Sequence, residues 1–76
     1  MKIQILGTGC PKCKKLEENA LAAVQELGLD ADVEKVSDIN DIMNFGVMVT
    51  PGLAVDGEAK SAGKVLSVKE IKALLE

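Results

Sequence analysis

Leu6-Gly7-Thr8-Gly9-Cys10-Pro11-Lys12-Cys13 is the stretch on which the fold turns. The residues leading into it, Lys2 to Leu6, alternate: Ile3 and Ile5 share one side, Gln4 and Leu6 the other, which is the period of a β-strand. Gly7-Thr8-Gly9 ends that strand. Pro11 suits the first position of a helix, where its missing N–H costs nothing. Gly28 suits the left-handed residue just past a helix end. Between them Cys13, Leu16, Ala20, Val24 and Leu27 fall within roughly 80° of one another at about 100° per residue. Cys13 therefore belongs to the buried face of the helix, and Cys10 stands at or just before its cap. The two thiols are expected to differ in exposure.

Farther along, Asp32 to Val36 reads as a weak strand with alternating acids, the pattern of a sheet edge. Asp38 opens a short helix carrying Ile39, Ile42 and Met43 and stopped at Gly46. Val47-Met48-Val49-Thr50-Pro51 is an extended run, since proline disfavours helical geometry at Thr50. Leu53 to Val55 is a strand, Asp56-Gly57 a hairpin turn and Glu58 to Ala62 the returning strand. Ser67 with Glu70 three residues later is a capping box, opening a last helix with Val68, Ile71, Leu74 and Leu75 inward. The order β-α-β-α-β-β-α predicts an α/β fold, with residues 1–76 forming one domain. Its four-stranded mixed sheet is flanked by three helices. The first strand should lie inside the sheet, because its link to Asp32–Val36 is a right-handed crossover.

Composition narrows the function. Leu, Ile and Val supply 22 of 76 residues, against one Phe and no Trp or Tyr. That is enough for one aliphatic core and too much for a disordered chain. With a net charge of −3, nine lysines and no arginine, the chain lacks the basic excess and guanidinium forks of a nucleic-acid binder. No apolar run approaches the ~18 residues of a membrane span, and the first residues do not form a signal-peptide core. The expected location is the cytoplasm. Charge is nevertheless uneven. Residues 1–15 hold four lysines and no acid, whereas residues 16–76 hold five lysines against twelve acids.

Histidine is absent, which removes the commonest general base and metal ligand. Chemistry falls to Cys10 and Cys13. Cys-x-x-Cys at a helix start brings two sulfurs within bonding reach. Unsatisfied N–H groups at the helix end, together with Lys12, Lys14 and Lys15, favour thiolate at Cys10. Cys10 could then capture a foreign disulfide, and Cys13, on the buried face, could resolve the mixed disulfide. Other readings remain open. The pair could be a structural disulfide, though so short a loop yields only ~2 kcal/mol. The two could be inert core residues, which a pair flanking proline at a helix cap fits poorly. They could also bind a soft ion, either two-coordinate Cu(I) or half of a zinc site in a dimer. The lysines could be no more than a solvated helix face.

Leu6 to Cys13, followed by Val49-Thr50-Pro51-Gly52-Leu53-Ala54-Val55-Asp56-Gly57, resembles the thioredoxin-like superfamily. More narrowly it is similar to the small redox-active disulfide proteins, minimal thioredoxin/glutaredoxin-like chains, and the likeness covers essentially the whole sequence. The resemblance implies a minimal thioredoxin fold and a protein-disulfide oxidoreductase with Cys10 as nucleophile and Cys13 as resolving thiol. It also implies an X-Pro peptide, here Thr50-Pro51, facing the cysteines in the cis form and lining the substrate groove with Pro11 and Lys12. Three departures stand out. Gly9 occupies the place of the aromatic residue that precedes the first cysteine in thioredoxin proper. Lys12 replaces the tyrosine of the glutaredoxin Cys-Pro-Tyr-Cys pattern, and Gly63 lacks the paired acids that follow it where glutathione is held.

The expected partners are disulfide-containing or dithiol proteins and a thioredoxin-reductase-like electron donor. No cofactor, metal, membrane or nucleic acid is expected, and the chain should act as a monomer. The competing architecture is a heavy-metal chaperone domain, β-α-β-β-α-β, which also carries Cys-x-x-Cys after its first strand. It would require residues 67–75 to form a strand.

Overall fold

The computed structural model describes residues 1–9 and 11–75; Cys10 and Glu76 lie outside the described residues. Seven elements follow in order: β1 (Lys2–Leu6), α1 (Pro11–Leu27), β2 (Asp32–Val36), α2 (Ile39–Asn44), β3 (Gly52–Val55), β4 (Glu58–Ala62) and α3 (Val68–Leu75). The sheet order is β2-β1-β3-β4. β1 runs parallel to β2 and antiparallel to β3, which in turn pairs antiparallel with β4. This is the mixed sheet and helix order of a minimal thioredoxin fold. Residues 68–75 are helical, so the βαββαβ architecture of a metal chaperone is excluded.

Strand alternation distributes the core over both faces of the sheet. Ile3, Ile5 and Leu53 face α1 and α3, packing with Leu16, Ala20, Ala23, Ile71 and Leu75. Leu6 and Ala54 face the other way, against Ile42 and Val47. β1 is therefore buried along both faces, while β2 and β4 are the edges.

Local chemistry sets the element ends. Leu29 N–H donates to the Val24 carbonyl and Gly28 N–H to that of Gln25, with Gly28 at φ 64°. This is a Schellman ending, whose left-handed residue glycine tolerates without a Cβ clash. Asp38 caps α2, its carboxylate accepting from Asn40 N–H at 2.8 Å. The capping box of α3 closes both ways: Ser67 N–H donates to Glu70 Oε1 at 3.1 Å, and Glu70 N–H to Ser67 Oγ at 3.2 Å.

Of the apolar residues that α2 carries, Ile39 and Met43 stand 62% and 57% exposed, because a helix of six residues turns only Ile42 to the sheet. One inward assignment needs correction: Leu74 is exposed. It lies about 60° beyond Ile71 on the helix circle, outside the stripe that Ile71 and Leu75 bury.

Candidate thiol site

α1 begins at the C-terminal end of β1, so its first turn stands over the end of the sheet. Burial of Leu16, Ala20 and Ala23 fixes the rotation of that helix. Cys13 shares their face and is 5% exposed. Pro11 and Lys12, the first two helical residues, point to solvent. Cys10, the expected nucleophile, lies outside the described residues.

The sulfur of Cys13 rests on backbone. A Cβ placed on Gly7 would overlap Cys13 Sγ, and it would lie 3.1 Å from Cys13 Cβ and 4.0 Å from Thr50 Cβ. The strand that carries Gly7 cannot easily retreat, since Gly7 N–H donates to the Val36 carbonyl at 2.9 Å. Gly7 therefore does more than end a strand: its missing side chain is the space the thiol occupies. The sequence signal for this was a glycine directly after a strand, which often marks close approach of another group.

Gly7 also brings the third part of the site into place. Thr50, exposed, and Pro51, fully buried, are joined by a cis peptide bond, and Thr50 reaches the same spot as Cys13. Of the expected residues, Cys13, Thr50 and Pro51 thus come together at one end of the sheet, with Pro11 and Lys12 on the adjoining helix turn. Gly9, at φ 89°, explains one departure from thioredoxin proper. An aromatic side chain there would require a left-handed backbone that costs a non-glycine residue about 1–2 kcal/mol.

A groove of about 340 Å³ runs away from Thr50, lined by Thr8, Ile39, Ile42, Met43, Val47 and Met48. Seven large apolar side chains stand exposed among the described residues. Four of them, Ile39, Met43, Met48 and Val49, belong to the segment that forms this groove and the approach to Pro51. Sequence reading missed the groove because it is assembled from the loop after β1, α2 and the loop before β3.

Charge at this end is uncompensated. Lys2, Lys35, Lys60, Lys64 and Lys72 each lie within 4 Å of a carboxylate. Among the described residues, Lys12, Lys14 and Lys15 pair with none, and all three are exposed. No group of three or more His, Cys, Asp or Glu side chains converges as metal ligands among the described residues. No described helix is long and apolar enough to cross a membrane.

Sheet order, the buried Cys13 over Gly7 and the adjacent Thr50–Pro51 loop define a thioredoxin-type domain, and sequence comparison agrees. The family model described as "Thioredoxin domain" matches residues 1–76, and the chain belongs to that family. It is 55% identical over 75 residues to a protein named Thioredoxin from Methanothermobacter thermautotrophicus, covering 99% of this chain and 97% of that one. A protein named Thioredoxin from Methanocaldococcus jannaschii is 53% identical over 70 residues, covering 92% of this chain and 80% of its own.

Proposed function

We propose that this protein is a thiol–disulfide oxidoreductase that exchanges disulfides with partner proteins through Cys10 and Cys13. The observation that carries the reading is the buried Cys13 sulfur seated on Gly7 beside Thr50, in a chain whose relatives are named Thioredoxin. In the reductive direction the Cys10 thiolate attacks one sulfur of a partner disulfide. A mixed disulfide forms and one partner thiolate leaves. Cys13, its proton passed to water, then attacks the Cys10 sulfur, forming the Cys10–Cys13 disulfide and releasing the second partner thiol. The partner gains two electrons and two protons, and a reductase-like dithiol donor returns the pair to the reduced state.

The extended partner chain would lie along Thr50–Pro51, with Pro11 and Lys12 on its other side. The protein would act in the cytoplasm as a single monomeric domain, with no cofactor of its own. The test is turnover of an insulin-type interchain disulfide with dithiothreitol as donor. Wild-type protein should accelerate it, and Cys10→Ser should abolish the effect. Equal rates with and without the Cys10 thiol would refute the reading.

A further inference from the structure

The groove beside Thr50 and the unpaired lysines of the first α1 turn occupy one end of the molecule. We propose that together they form a docking surface for an acidic polypeptide that carries a long apolar side chain near its disulfide. This rests on the oxidoreductase reading and names the substrate class of the same site.

The apolar half is the floor of Ile42 and Val47 beneath the exposed rim of Ile39, Met43 and Met48, the last 88% exposed. Flexible, polarisable methionine side chains suit an apolar group of variable shape. Thr50 is common to the groove and to the contact with the Cys13 seat. A side chain bound in the groove would therefore place its own backbone beside the Cys13 thiol.

The charged half is what selects the partner. Among the described residues, five of the nine lysines lie within 4 Å of a carboxylate. Of the four that do not, three are Lys12, Lys14 and Lys15. Although the whole chain carries −3, a partner nearing the thiols meets local positive charge. Such asymmetry steers encounter and orientation more than it tightens the final complex. A contrasting depression is lined by Lys60, Lys64, Leu66, Glu70 and Leu74, and both its lysines are already paired. Lysine beside an apolar hollow is thus not enough; among the described residues three unpaired lysines gather at the start of α1, whereas the fourth, Lys69, lies on α3.

The experiment uses four synthetic peptides, each closed by one disulfide. Leu or Asn follows the first cysteine, and either three Glu or three Lys flank it. Second-order rate constants for reduction by the reduced full-length protein are measured at low salt and at ~0.5 M salt, with hydroxyethyl disulfide as a small neutral control. The Glu/Leu peptide should react about tenfold faster than the Lys/Leu peptide at low salt, and the ratio should fall towards one in high salt as screening sets in. Replacing Leu by Asn should slow the acidic peptide several-fold. A Lys14→Gln/Lys15→Gln variant should lose most of the charge preference; any slowing through weaker thiolate activation at Cys10 falls equally on hydroxyethyl disulfide and on all four peptides, so the acidic-to-basic ratio reads docking alone. Met48→Gln should lose the Leu preference alone. Equal rates for acidic and basic peptides, or a preference that survives Lys14→Gln/Lys15→Gln, would overturn the proposal while hydroxyethyl disulfide is still reduced. Failure to reduce hydroxyethyl disulfide would instead overturn the oxidoreductase reading, and this inference with it.

Discussion

Gly63 N–H donates a 2.7 Å hydrogen bond to the Pro51 carbonyl. The end of β4 thereby holds the loop that lies against the thiol. Gly63 has φ 72°, and a Cβ there would come within 2.8 Å of Val49 Cγ2. One residue thus sets both the position of Pro51 and the room available to Val49.

Gly63→Ala should accordingly destabilise the protein by about 1–2 kcal/mol, the cost of a left-handed alanine. In a domain of this size that corresponds to a fall of several degrees in Tm, measurable by calorimetry. Polypeptide disulfides should also react more slowly, because Val49 must shift. A variant with unchanged Tm and unchanged insulin reduction would show that the Gly63 clamp is dispensable.

Gly7→Ala tests the seat of the resolving thiol. Forcing a methyl group into filled space typically costs about 1–3 kcal/mol, and Gly7 cannot back away from Val36. The displaced sulfur should resolve mixed disulfides about 10- to 100-fold more slowly, as expected for small misplacement of a reacting atom. The stability loss should shrink by more than half in a Cys13→Ala background, where the overlapping sulfur is gone. Equal losses in both backgrounds would place the strain elsewhere.

The burial of Cys13 predicts unequal chemistry at the two thiols. Reduced protein treated with limiting iodoacetamide should be labelled at Cys10 well before the buried Cys13, with an apparent Cys10 pKa below the ~8.5 of an ordinary thiol. Cys13→Ser should accumulate mixed disulfides through Cys10, visible by mass spectrometry. Labelling of Cys13 first would contradict the buried-stripe assignment.

Lys12→Glu separates charge from helix geometry at Cys10. Reversing the exposed charge of Lys12, two residues along the chain from Cys10, should raise the Cys10 pKa by about one unit. Attack on disulfides should slow near neutral pH without unfolding, and the effect should fade in high salt. An unchanged thiol titration at low ionic strength would leave the helix terminus as the main source of activation.

Glu70 gives a pH signature. The Ser67 backbone N–H, then the Ser67 hydroxyl and the Lys64 ammonium, hold its carboxyl below the usual 4.5. A carboxylate with a depressed folded-state pKa contributes stability that is fully present above the unfolded value and lost as pH falls through the folded one. Thermal melts of wild type and Glu70→Gln should therefore differ near neutral pH and converge as pH falls below 4.5 and through the lower folded-state value. Curves that stay parallel through that window would mean Glu70 acts only as a neutral cap.

Much of this fold is local, and local chemistry is legible in a sequence. Alternation of Ile3, Gln4, Ile5 and Leu6 marks a strand whichever neighbours it finds. Pro11 and Gly28 bracket α1 because one lacks an N–H and the other lacks a Cβ. The Ser67–Glu70 box needs only three residues of spacing. Burial of Cys13 follows from helical period once Leu16 and Ala20 are known to face inward. The cis geometry at Pro51 was expected through family resemblance and not through its own residues.

What periodicity could not show is which distant atoms share one small volume. Gly7 read as punctuation until packing set the Cys13 sulfur where its side chain would be. Ile39 and Met43 read only as apolar residues of a short helix, and packing makes them a rim, because α2 is too short to wrap its apolar residues onto the sheet. The groove joins Thr8 to residues more than thirty positions away, and the unpaired state of Lys12, Lys14 and Lys15 depends on where twelve acids come to rest. Such relations are set by sheet order and helix docking, through close packing and Coulomb forces that act across space and are blind to sequence distance.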